Sequence, residues 1–401
     1  MFKLHYNGGD LEVVAITSEN ILKTIEYASR VCYNATDRMN TARYKTLNYI
    51  GARVRSGHES VTEHGEFVVI FKRSGCSNVM FHEICQLLEM SNSLLHVFAN
   101  TSICTLDSRS VIVSISGNLK MWRDFVKYLL SINSTTKFYE HSVMVELILR
   151  IFYLFSTVWC NGIFTDDLEG YDYLRGYSDT SYLNPTDTVY NVPEDPDDNP
   201  NEPSYDSNFK NIYDVNGIKV DMINVDDFVP RIRLWKNVVS NEIKAFVTAY
   251  YKEFSSITYK LTLPRIVSQQ ECRHRINSIS QRSQRYVNEG DSKWYKPLQF
   301  KDNKFAFYDK QMSYDEIIEE LLSVYNQMIS NGVPKEVARN ILPNAMMTEM
   351  VITKPMYTLP HYFKERCSNN AQMEIREPAI AIRDYLKTLG LNYIKQEDSD
   401  R

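Results

Sequence analysis

Between Asp166 and Asp214 the chain carries thirteen acidic residues against two basic ones, with prolines at 185, 193, 196, 200 and 203. A stretch like this has little to bury and repels itself. It reads as a solvated loop or linker, so the core has to be assembled from the sequence on either side. The 401 residues allow one large domain or two ordinary ones. With 43% hydrophobic and 24% charged residues, the chain can bury a core and stay soluble.

The flanks are patterned. "LEVVAIT" (11–17) suits a strand, and Ser18 can cap a helix running to Cys32 with Ile21, Ile25 and Ala28 on one face. A second helix is expected over 41–56 and a strand over 66–73. Further helical patterns lie near 79–97, 119–133, 140–160 and 228–254, and a strand near 109–118. Ser313 and Glu316 form a candidate capping box for a helix ending near Gly332, and Pro334 can open the next one. The segment from Ser368 to Gly390 reads as a last long helix in which Pro378 should make a kink.

Several function classes are disfavoured. The formal net charge of −5 rules out a molecule that binds polyanions with its whole surface, so an anion must meet a local basic site. Seven scattered cysteines with no CxxC pair fit a reducing compartment better than a disulfide scaffold. "MFKLHYNGGD" is polar too soon for a targeting core. "VMVELILRIFYLFSTVW" (143–159) contains Glu146 and Arg150 and is short for a bilayer. A cytoplasmic protein without membrane contact is expected.

The chemistry is concentrated in "ECRHRINSISQRSQRY" (271–286), which holds four arginines and a histidine. Three readings are open: a contact with a nucleic-acid backbone, a solvated polar face, or a pocket for a small phosphate ester. Arg273, His274 and Arg275 are consecutive, so they cannot share one face of a helix or strand. Arginine forks with serine hydroxyls suit a phosphate. "HESVTEH" (58–64) is not HExxH, because its histidines are six apart, and no metal site is expected.

"RHRINSISQRS" resembles the RHR, seven residues, Ser signature of flavin-dependent thymidylate synthases. "SGHESVTEHGEFVVIFK" (56–72), "VPKEVARNILP" (333–343) and "FKERCSNNAQMEIR" (363–376) resemble three further blocks of that family, in its order. The resemblance implies a mixed α/β catalytic core from 1–75 and 257–401. The rest, 76–256, is expected to be a large, mainly helical insertion with the acidic, Pro-rich loop at about 166–214.

The resemblance also implies an activity, making dTMP from dUMP with methylenetetrahydrofolate and NADPH as co-substrates and FAD as cofactor. The assembly it implies is a homotetramer with sites shared between subunits. By resemblance, Arg366 contacts the pyrimidine and carries the catalytic polarisation. Gln270, Arg273, Gln281, Ser283, Arg285 and Arg339 match dUMP-binding positions. His58, Ser60, Glu63, Arg273, His274 and Arg275 match the FAD side, where His361 and Asn370 stand in place of the common asparagine and histidine. Cys272 and Cys367 match no catalytic position and are expected to pack. The competing readings are a nucleotide- or flavin-binding protein without turnover, and a nucleic-acid binder using the arginines.

Overall fold

A computed structural model describes residues 2–6, 9–17, 21–40, 42–74, 96–100, 104–105, 108–135, 209–225, 241–300 and 303–391. The expected helix near 140–160, most of the one near 79–97 and most of the acidic stretch lie outside the described residues; 96 and 97 are in a strand.

Two antiparallel sheets form the frame. In the first, β1 (Phe2–Tyr6), β2 (Gly9–Thr17), β3 (Glu66–Ser74), β6 (Ser108–Asn118) and β4 (His96–Asn100) lie in that order, and the short β5 (Cys104–Thr105) also pairs with β6. The second runs β10 (Ser278–Gln281), β13 (Met347–Pro355), β9 (Ser256–Pro264), β8 (Ile218–Val225) and β7 (Lys210–Val215). A hairpin of β11 (Lys304–Phe307) and β12 (Lys310–Ser313) stands apart. Within the span 76–256, β6 pairs with both β3 and β4, and β8 pairs with both β7 and β9. Those segments are therefore strands inside the two sheets.

Strand β9 is covered on both faces, and this sets its composition. Ile257, Tyr259, Leu261 and Leu263 join the main core with Met350 and Ile352 of β13 and with Tyr362, Phe363, Ile375, Ala379 and Ile382 of the C-terminal helices. Each such side chain contributes about 1.5–3 kcal/mol by leaving water. On the other face Thr258 and Thr353 pair through their hydroxyls at 2.9 Å.

The first helix, Ile21–Cys32, confirms the apolar face at Ile21, Ile25 and Ala28, but it is buried nearly all round. Its polar face is covered because the following segment supplies partners. Glu26 accepts from Arg30 Nε (2.6 Å), from the Asn40 backbone and side chain, and from Thr46 Oγ1 (2.7 Å). Gly65 lets the 3-10 helix Glu59–His64 close on this helix, since a Cβ there would lie 2.8 Å from Ile21 and Ile25.

The Ser313 capping box forms as expected and opens the helix Tyr314–Ser330, which stops before Gly332 at φ +82°. The expected last helix, 368–390, forms over Met373–Thr388 and begins later than expected; a separate helix, Leu359–Arg366, precedes it across a turn. Pro378 lies inside the second. Its missing N–H leaves the Glu374 carbonyl without the usual helical donor, yet the helix continues to Thr388 with the Pro378 ring buried.

Candidate active site

Strand β9 ends at Pro264 and passes into the short helix Arg265–Glu271. That helix stops at Cys272, and the chain turns through Arg273, His274 and Arg275 before entering β10. The turn separates the three basic side chains as their consecutive spacing requires: Arg273 and Arg275 are exposed and His274 is half-buried.

The end of the Leu359–Arg366 helix meets this turn. Arg366 donates from Nε to His274 Nε2 (2.8 Å), from one terminal nitrogen to Gln270 Oε1 (3.2 Å) and from the other to the Gln270 carbonyl (2.9 Å). The guanidinium has five N–H groups, so one on each terminal nitrogen is left without a partner among the described residues. His274 can accept at Nε2 only when neutral, with its proton on Nδ1. Burial, followed by the nearby charge of Lys354, holds its pKa down to about 4. His361 lies edge-on to His274 with ring centroids 6.0 Å apart.

A second group forms around the loop after β10. Gln281 donates to Ser268 Oγ (2.9 Å) and Thr348 Oγ1 (3.3 Å). The Ser283 N–H bonds to the Cys32 carbonyl, and the Arg285 N–H bonds to Ser283 Oγ. Arg285 reaches Glu336 at 3.4 Å, Arg339 donates to the Glu336 carbonyl, and Lys335 donates to the Tyr286 carbonyl. The 333–343 block is thereby fastened to the arginine loop, with Ser283, Arg285 and Arg339 on one side of the site. Arg282 points elsewhere, to Ser292 and the buried Glu289.

The flavin-side segment is placed less uniformly. His58 stands edge-on to Tyr33 (6.5 Å), and Tyr33 contacts Tyr286 of the loop (5.2 Å). Ser60 is exposed on the 3-10 helix. Glu63 has Lys120 and Asp124 as charged neighbours, and burial raises its carboxyl pKa. Asn370 is exposed in the turn before the last helix, where its N–H bonds Ser368 Oγ. Cys367 packs against the main core as expected, whereas Cys272, at the end of its helix, is exposed.

Four residues at the site escaped the sequence reading: Glu271, Lys354, Tyr259 and Tyr362 form a buried polar group directly below the turn. The available signal was a lysine inside the apolar run "MVITKPMY". His64, read only for metal binding, is buried between the two parts of the fold. Among the described residues no cluster of metal-ligating side chains occurs, and no helix is long and apolar enough to cross a membrane.

Two antiparallel sheets thus bring together a turn of arginines, an imidazole bonded to Arg366 and the carboxamide of Gln270. Residues 243–389 match the model of a family described as thymidylate synthase complementing protein. A flavin-dependent thymidylate synthase of Geobacter sulfurreducens is 34% identical over 137 residues, covering 34% of this chain and 58% of the relative. One of Aquifex aeolicus is 35% identical over 145 residues, covering 33% and 46%. A solved UMP/dUMP methylase PolB from Streptomyces cacaoi, bound with 5-Br dUMP, shares 17% identity at a TM-score of 0.32, covering 43% of this chain and 91% of that one. The chain thus spans about half the length of the curated relatives it matches. Over residues 243–389 it is thus similar to the flavin-dependent thymidylate synthases.

Proposed function

We propose that the protein is a flavin-dependent thymidylate synthase, a methyltransferase that converts dUMP to dTMP. In this reading methylenetetrahydrofolate supplies the carbon, NADPH the reducing equivalents, and FAD is the cofactor. The balance is dUMP, methylenetetrahydrofolate, NADPH and a proton giving dTMP, tetrahydrofolate and NADP. The observation that carries the reading is the junction of Arg366 with Gln270 and His274, which joins segments 92 and 96 residues apart.

The residue types suit the chemistry. Uracil C5 becomes nucleophilic when electron density moves into the ring and charge gathers on a carbonyl oxygen. The two uncommitted N–H groups of Arg366 stabilise that oxygen as an oxyanion hole does. Ser283, Arg285 and Arg339 suit the phosphate, and the carboxamides of Gln270 and Gln281 suit the pyrimidine edge.

FAD fits the same surroundings. Arg273 and Arg275 are exposed cations for its pyrophosphate, and His274, His361 and the His58–Tyr33 pair are aromatic surfaces for its ring system. Bound FAD would supply the hydride-carrying step between NADPH and the pyrimidine. Exposed Ile276, Tyr286 and Val337 beside the site support burial by further copies in a homotetramer. The setting proposed is cytoplasmic, with no nucleic-acid or membrane partner.

The test is the visible spectrum of the purified protein, followed by anaerobic NADPH with and without dUMP. Flavin bands that bleach faster with dUMP support the synthase. A protein that binds dUMP and FAD without oxidising NADPH is a nucleotide-binding relative without turnover. A colourless protein that FAD cannot reconstitute removes the reading.

A further inference from the structure

Directly below the arginine turn lies a buried charge pair that the proposed reaction does not use. Glu271 is 0% exposed and Lys354 1% exposed, and their charged atoms are 3.4 Å apart. Glu271 also accepts from Tyr362 (2.7 Å) and Tyr259 (3.3 Å). A buried pair like this costs desolvation and seldom stabilises a fold more than apolar packing would, so another role is worth seeking.

Its surroundings point to one. Lys354 Nζ sits over the Tyr362 ring, 4.4 Å from the centroid, and His274 packs edge-on against the same ring at 4.9 Å. His274 in turn accepts the Nε–H of Arg366 at Nε2. A proton on that nitrogen would replace the hydrogen bond by a clash between two donors and two positive charges. The charged groups facing His274 are Lys354 from β13, Glu271 from the helix before the turn, and Arg366 and His361 from the Leu359–Arg366 helix. Lys354, Arg366 and His361 disfavour a second proton on the ring, and Glu271 favours it.

We propose that Lys354 is a positioning residue for Arg366: its buried cation, set by Glu271 against Tyr362, keeps His274 Nε2 bare so that Arg366 is held by its Nε–H with its outer edge turned to the ligand. The role of that edge rests on the reading of Arg366 as the pyrimidine contact. The state of His274 does not.

Two measurements separate these layers. Histidine-labelled holoprotein, with His274→Gln to identify the resonance, should show a neutral ring protonated on Nδ1 from pH 8 to pH 5. A proton on Nε2, or a charged ring at pH 7, overturns the proposal. The dUMP dissociation constant is then followed over the same range. It should be flat for the wild type. In Lys354→Gln the unopposed Glu271 should raise the proton affinity of His274 by about tenfold, so that dUMP binding stays level from pH 8 to pH 6 and weakens about twofold by pH 5. Glu271→Gln removes the charge that favours a second proton on His274 and should stay flat, so the two variants differ in kind. Equal weakening at every pH in Lys354→Gln, or acid sensitivity in Glu271→Gln, overturns the proposal, and the second outcome decides even where the first variant does not fold. A wild type with the expected ring state and no dUMP affinity overturns the nucleotide reading alone.

Discussion

His64 and Ser280, 216 residues apart in sequence, are hydrogen-bonded in the interior with Nε2 and Oγ 3.0 Å apart. The other ring nitrogen meets Thr353 Oγ1, also at 3.0 Å, and Thr353 pairs with Thr258. One imidazole thus ties the 3-10 helix after the first helices to the edge of the second sheet, at the strand that follows the arginine turn. Burial lowers its pKa to about 3. The folded state therefore declines a proton that the unfolded chain accepts below the ordinary histidine value of about 6.5. The stability this group confers is fully present above that pH and is lost as pH falls toward 3, at up to about 1.4 kcal/mol per unit. His64→Gln should cost about 1–3 kcal/mol at pH 7.5 and reduce the acid slope by one proton. Urea unfolding at pH 7.5, 6 and 5 checks this, and an unchanged slope would contradict it.

Arg366 is held by three hydrogen bonds to two residues, so its charge and its planar fork are separable. Arg366→Lys keeps the charge and cannot reproduce the fork. Calorimetry should show dUMP affinity reduced by about ten- to a hundredfold, the loss of one or two charge-assisted hydrogen bonds. Turnover should fall further, by about a hundred- to a thousandfold, because the contact strengthens as charge develops. An affinity equal to wild type would take Arg366 out of the ligand contact.

His361 faces His274 from the neighbouring helix, while Asn370 lies in the following turn. Our expectation is that both meet the flavin ring, with imidazole and amide exchanged relative to the family. His361→Ala should then release flavin on gel filtration, read as a lower absorbance ratio of flavin to protein. Full flavin content in that variant would remove His361 from the cofactor site.

The readable parts of this fold are those governed by local rules. The capping box at Ser313, the strand at 66–74 and the helix at 119–135 follow from spacing and propensity alone. The grouping of Arg366 with the arginine turn was legible only through resemblance, since no local rule relates residues more than ninety positions apart. The buried Glu271–Lys354 pair was hidden for a different reason. Composition places charged residues at the surface, and only tertiary packing shows that each here has the other as partner. Pro378 lies inside a continuing helix, as the sequence suggests, with its ring buried.

Glu26 links the fold to the site through the first helix. Its carboxylate is fully buried and satisfies Arg30, Asn40 and Thr46 together. Arg30, whose side chain is 9% exposed, also stacks on Tyr49 at 4.3 Å. Glu26→Ala would leave a largely buried guanidinium and several donors without their acceptor, a loss of about 3–5 kcal/mol. The consequence should reach the arginine loop, because Cys32 at the end of this helix accepts the Ser283 N–H. Loosening the helix end frees the segment that carries Ser283 and Arg285. The expected outcome is a lower melting temperature together with weaker dUMP binding, whereas Arg38→Ala, in an exposed surface pair, should change neither. Thermal unfolding with and without dUMP reads both effects. A Glu26→Ala protein with the wild-type shift on adding dUMP would show that the helix and the loop are energetically independent.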